Sequence, residues 1–299
     1  MPTRRRFLVT AAMASAAQCG IARASNRPAP LYPVEICGKW GYMNSMGRVL
    51  IKPQFDEAWT FSEDLAAIRI GHLWGYVARD GGVAIRPQFE EARNFCYGLS
   101  PVRSGEKWGF IRKDATFSIP PQFEVARSFQ DERARVRLNR LWGYIRTDGS
   151  FAIEPRYLGA EGYGEGLAPV QKGGSWGYID KAGKIVIPMQ FSLAETFHEK
   201  SGAVKIGSLW GFIARNGQLI IPCTFEEAGA FADGLCPVRP HATWGFIDKS
   251  AQFVIPPHFD RADRFVDGLA LTRYQQSDQY IDRQGRTVLL DKSHFSLNG

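Results

Sequence analysis

Carboxylates in adjacent pairs are the first residues in this chain that could do chemistry: Asp56-Glu57, Glu90-Glu91 and Glu226-Glu227. Two acids in unlike environments can act as proton donor and base in cutting a glycan. These pairs recur at one spacing, whereas a catalytic pair occurs once, so they read as solvated acids at a repeated corner. The histidines His72, His198, His241, His258 and His294 fall at unrelated or turn positions, and none joins cysteines or acids at a zinc-like spacing. The glycines are spent on turns, with no loop built to cradle phosphate. No catalytic residue, no metal ligand and no cofactor is expected.

One registered feature is suited to binding. Arg69, Arg103, Arg137, Lys205, Arg239 and Arg273 hold the same place in successive copies of a repeat, with Gln171 as the exception and Glu35 in the opening copy. Aligned by stacking, they would form a basic stripe able to meet an acidic envelope ligand or an acidic partner surface. The preferred reading is plainer: they pair with the registered acids of neighbouring units.

The elements that must position these side chains follow from the repeat itself. Trp-Gly pairs begin at Trp40, Trp74, Trp108, Trp142, Trp176, Trp210 and Trp244, every 34 residues without insertion or deletion. A degenerate eighth copy falls at Asp278-Gln279-Tyr280-Ile281, as a capping unit would, and Trp59 alone among the tryptophans is out of register. Each Trp-Gly is followed by an aromatic, an aliphatic and a turn such as Asp80-Gly81, Asp148-Gly149 or Asn216-Gly217, which favours positive φ and closes a tight hairpin. A short strand such as Ile185-Val186-Ile187 comes next, and proline is expected to end it for want of a ladder N–H. An aromatic corner with an unvarying alanine (Ala58, Ala92, Ala126 and onward) leads to the next strand.

The unit is thus expected to be three short strands and a corner, all β, too small to bury its faces without neighbours. At 34 residues it falls short of the usual propeller blade, so an open solenoid of β-hairpins is the expected array and a closed ring of eight small blades the alternative. The tryptophans are expected to be core, Trp142→Ala costing roughly 3–5 kcal/mol. Departures from register appear mainly at Leu158 to Glu165 and at His198 to Ser201, and neither stretch by itself supplies a constellation.

The unit Lys-Trp-Gly-Phe-Ile-x-Lys-x-Gly-x-x-x-Ile-Pro-Pro-x-Phe resembles the bacterial WG, or KWG, repeat family. The resemblance implies a β-rich bacterial repeat protein and carries no catalytic residues across.

The N-terminus reads differently. Arg4-Arg5-Arg6 precedes a modest apolar run from Phe7 to Ala17 and an Ala22-Arg23-Ala24 cleavage pattern, similar to a twin-arginine export signal. Residues 1–24 are read as a signal peptide and 25–299 as one array of seven full copies and a degenerate eighth, periplasmic or secreted after cleavage near Ala24. The formal charge of +7 then loses four arginines and falls to +3, which gives no case for nucleic acid. The apolar run is too short for a membrane helix, so no transmembrane segment is expected in the mature chain. Cys37, Cys96, Cys223 and Cys236 would remain in an oxidising compartment, where Cys223 to Cys236 is the favoured pairing if any disulfide forms; a small buried residue is the better reading of Cys236. The function expected is that of a non-enzymatic exported scaffold binding a protein or an envelope ligand, with a glycan-active enzyme or a carbohydrate-binding module as the alternative.

Overall fold

The repeat becomes sheet because its apolar positions alternate and its turns carry the right residues. In the computed structural model, which describes residues 28–288, the first unit gives strands β1 (Tyr32–Ile36), β2 (Lys39–Met43) and β3 (Val49–Phe55). The next gives β4 (Glu57–Ala58), β5 (Leu65–Ile70), β6 (Leu73–Ala78) and β7 (Val83–Phe89), antiparallel in that order. Six further four-stranded sheets repeat this pattern, the last closing on the short strand Thr287–Val288. At the β6–β7 turn Gly81 takes φ 89°, and the Asp80 carboxylate accepts from the Gly82 N–H at 2.8 Å.

Two expectations are corrected here. The unit has four strands, because the aromatic corner contributes β4, whose Glu57 and Ala58 pair with Arg69 and Ile68 of β5. Two residues are too few for any periodicity to betray a strand. With a fourth, innermost strand in every described unit but the three-stranded first, the units are blades, and the array is a closed eight-bladed propeller, not an open solenoid. Closure brings the first and last blades together: the Tyr32 hydroxyl donates to the Asp267 carbonyl at 2.7 Å and the Tyr280 hydroxyl to the Pro33 carbonyl at 2.9 Å. Tyr32, Val34 and Met43 of the first blade share one apolar cluster with Leu269 and Tyr280 of the last.

Proline does not end the outer strand, which is a further correction. β3 runs through Pro53, on the outer edge of its sheet, where no further strand needs its missing N–H. The ladder is bulged there: Trp40 pairs with Phe55 and Tyr42 with Ile51, so Gly41 alone faces Lys52 to Gln54. The same bulge recurs in the other Trp-Gly blades, for example from Trp108–Phe123 to Phe110–Ile119. It explains the glycine of the Trp-Gly pair, since a Cβ on Gly109 would stand 2.6 Å from the Ile119 carbonyl oxygen.

The core lies between blades. Trp108, Phe110, Ile119 and Phe123 of the third blade pack with Ala126, Phe129, Val136 and Ile145 of the fourth, and equivalent clusters fill the other gaps. The aromatic two places after each tryptophan is almost wholly buried in all seven copies. Of the tryptophans, Trp74, Trp108, Trp176 and Trp210 are buried, while Trp40, Trp142 and Trp244 are half-buried.

Cys223 and Cys236 are free thiols, so the favoured disulfide is not formed, and Cys236 is buried in its cluster; Cys37 is also free. Residues 1–24, with the expected export signal, lie outside the described residues. Among the described residues no helix is long and apolar enough to cross a membrane.

Candidate functional site

The innermost strands leave a central channel enclosing about 520 Å³. Each inner strand delivers one residue to its wall directly after the unvarying alanine. In successive blades these are Trp59, Arg93, Arg127, Glu161, Glu195, Gly229 and Asp263, and all seven line the channel. The register is thus variable from the residue after the constant alanine onward, where it faces the channel. Two other departures converge there. Arg135 holds a position occupied elsewhere by Ala67, Pro101, Pro169, Ala203, Pro237 and Leu271, and Arg264 one occupied by Thr60, Asn94, Ser128, Gly162, Thr196 and Ala230.

The scaffold fixes the backbone of four of these residues through the repeat's buried tyrosines. Tyr42, Tyr76, Tyr144 and Tyr178 donate their hydroxyls to the carbonyls of Trp59, Arg93, Glu161 and Glu195, at 2.7, 2.9, 2.8 and 2.8 Å. A core position seventeen residues upstream thereby anchors these four channel residues across the gap between blades, while Arg127, Gly229 and Asp263 have a phenylalanine there instead (Phe110, Phe212 and Phe246).

The channel is polar across its width. Arg93 and Arg127 from the third and fourth blades, with Arg135, make one arc; Glu161, Glu195 and Asp263 from the fifth, sixth and eighth make another. Arg93 lies between two indoles, 5.3 Å from the ring centres of both Trp59 and Trp108. Arg135 is ion-paired to Glu161 where the arcs meet. Asp263 is held by Arg261 Nη2 at 3.1 Å, yet burial pushes its pKa up to about 6. Arg127 is pushed down to about 9 by burial first and then by the charges of Arg93 and Arg135. Burial also lowers Arg264 to about 10 and His198 to about 3, the latter helped by Arg264.

Glu195 is the most perturbed acid in the channel, its pKa raised to about 7 by loss of bulk water and then by the Glu161 charge, with Arg135 opposing. Its side chain is open to channel water although protein surrounds it, so water screens part of this penalty. The folded state keeps this proton up to about pH 7, while the unfolded chain sheds it near the ordinary glutamate value of 4.5. Folding therefore binds a proton across that window, and stability falls as pH rises through it. Glu195→Gln removes the effect. Its melting temperature relative to wild type should climb between pH 5 and pH 8, by the equivalent of about 1 kcal/mol after screening. A pH-independent difference in thermal melts would contradict this placement of Glu195. Asp263 acts in the same direction and His198 in the opposite one, which is why the single variant is compared with wild type at each pH.

The residues singled out by sequence lie elsewhere. Arg69, Arg103, Arg137 and Arg239 meet Glu57, Glu91, Glu124 and Glu227 of adjacent strands or corners at 2.7, 3.1, 3.1 and 2.7 Å. Arg273 pairs with Asp278 at 2.7 Å, and Lys205 lies over the Trp210 ring at 5.8 Å. None of the six lines the channel. The recurring acids also serve the blades, as where the Asp56 carboxylate accepts from the Gly71 N–H at 2.7 Å. Gly173 to Gly177 carries the letters Gly-x-Ser-x-Gly, but Ser175 opens a hairpin strand, Ser175–Asp180, paired to Lys172, and not a strand-to-helix elbow. Among the described residues no group of His, Cys, Asp and Glu side chains could hold a metal ion. Glu161 and His198, from the two irregular stretches, do meet in one channel. The signal that would have found the site is variation at one register compared across all copies.

Fold and channel together define an eight-bladed β-propeller with a non-repetitive central pocket. The chain belongs to the WG containing repeat family, whose model matches residues 40–72, 74–108, 108–142, 142–176, 176–210, 210–239 and 244–275. No curated protein sequence matches it. Among solved structures it is similar to the dihydro-heme d1 dehydrogenase NirN, with a TM-score of 0.57 at 12% identity over 89% of this chain and 74% of that one. It is also similar to a eukaryotic initiation factor (TM-score 0.52, 8% identity, 87% and 84% covered) and to Kluyveromyces lactis Hsv2p (TM-score 0.50, 9% identity, 74% and 89% covered). At such identities the likeness is one of fold alone.

Proposed function

We propose that this protein is an exported, non-enzymatic carbohydrate-binding propeller of the bacterial cell envelope, and that its ligand sits in the central channel. The observation that carries the reading is the convergence of the repeat's non-repeating charged residues on one pocket. A scaffold needs no variation at a wall position shared by seven blades, whereas a binding site needs a different group at each point around its ligand. Carboxyl groups facing guanidinium groups suit a ligand with many hydroxyls, which can donate to one arc and accept from the other. Export rests on the basic N-terminus and its Ala-x-Ala pattern.

The test is a blocked channel. Ala230→Arg adds a side chain that the eighth blade already carries at the same register as Arg264, so folding should be kept. Calorimetric titration of the mature chain with soluble envelope saccharides should show binding in wild type and a loss of at least about tenfold in this variant, as expected when a ligand's fit is obstructed. Equal affinity for both proteins would move the ligand out of the channel. One observation favours a second reading, a glycan-active enzyme: Glu195 holds its proton near neutrality, as a general acid must. Release of reducing ends from the same saccharides, lost in Glu195→Gln, would establish that reading over simple binding.

A further inference from the structure

We infer that the channel's ligand carries an oxyanion, a carboxylate or a phosphate, seated among Arg93, Arg127 and Arg135, so that the saccharide bound there is an acidic one. This rests on the channel being the carbohydrate site and specifies which carbohydrate. The argument is one of unanswered charge. Arg127 has no carboxylate within ion-pairing distance among the described residues, and its side chain makes only a 3.5 Å contact with the Ala126 carbonyl. Arg93 has its nearest carboxylate, Glu91, at 3.7 Å, beyond hydrogen-bonding reach, and its Nε is buried without an acceptor. Arg135 spends one amino group on Glu161 and the Ala160 carbonyl, but its Nε is likewise buried and unanswered.

Three guanidinium groups on one arc, with Glu161 on Arg135 and Glu91 at 3.7 Å from Arg93, leave positive charge on the channel wall, with Arg127 unpaired among the described residues. Such charge is costly unless an anion meets it. The array is also rigid: the two indoles that flank Arg93 hold its plane, and the Glu161 contact holds Arg135. Planar donors fixed in advance are what oxyanion recognition requires. The acidic arc then meets the uncharged end of the ligand, Glu195 and Asp263 taking its hydroxyl groups.

The experiment titrates the mature, full-length chain with four probes: glucuronic acid, a hexose phosphate, the matching neutral hexose and inorganic phosphate. Either acidic sugar should bind at least about tenfold more tightly than the neutral hexose, and the stronger of the two identifies the anion as carboxylate or phosphate. Arg127→Gln should reduce that affinity about 10–100-fold, the span of one or two lost charge-assisted hydrogen bonds, while the neutral hexose is unaffected. Because the change removes an unpaired charge, the unliganded variant should melt at or above the wild-type temperature. Equal binding of acidic and neutral sugars, with no effect of Arg127→Gln, would overturn the anion inference and leave the carbohydrate reading standing. Binding of inorganic phosphate as tight as that of the hexose phosphate would keep the oxyanion site and overturn the saccharide. Binding of none by folded protein would overturn both, and a destabilised Arg127→Gln would show the residue to be structural.

Discussion

Gly109→Ala is expected to abolish or severely weaken folding, with a cost above about 3 kcal/mol, at the upper end of what overpacking does in a closed interior. The added Cβ would sit 2.6 Å from the Ile119 carbonyl oxygen and 2.7 Å from Pro121 N, both backbone atoms. Neither can turn away as a side chain can, and the bulge that brings them close is what lets the outer strand carry its proline. Gly105→Ala is the contrast. Gly105 takes φ +64° but has nothing within 4 Å of a new Cβ, so only the left-handed backbone penalty of roughly 1–2 kcal/mol applies. Denaturant melts of the two variants should therefore separate clearly. Gly109 has no positive φ, so similar losses in both would mean that the outer strand yields to the added Cβ and that the close approach does not select the Trp-Gly glycine.

The second large effect concerns the tryptophans, which share one register without sharing one environment. Trp108 is 4% exposed and packs against the fourth blade, so Trp108→Ala should cost about 3–5 kcal/mol through lost contact and the cavity left behind. Trp142 is half-buried, with the guanidinium carbons of Arg135 and Arg137 5.7 and 5.9 Å from its ring centre. Trp142→Ala should cost less, about 2 kcal/mol, because less apolar surface leaves water on folding and a cation contact contributes only part of the remainder. Guanidinium melts of the pair decide the matter, and a Trp142 variant as damaged as the Trp108 variant would refute the ranking.

What the amino-acid sequence determined by itself was the unit and its repetition. The 34-residue period, the hairpin turns at Asp80-Gly81 and its equivalents, the aromatic core positions and the family all rest on local spacing, which the chain states openly. The ring was decided only in three dimensions. A two-residue inner strand such as Glu57–Ala58 has no period to read, and closure depends on Tyr32 and Tyr280 meeting partners more than 230 residues away. The channel was hidden for a related reason. Trp59, Arg93, Arg127, Glu161, Glu195 and Asp263 look like unrelated surface residues when each copy is read along the chain. They become one site because closing the blades into a ring aims that register at a common axis, so that residues far apart in sequence share one channel.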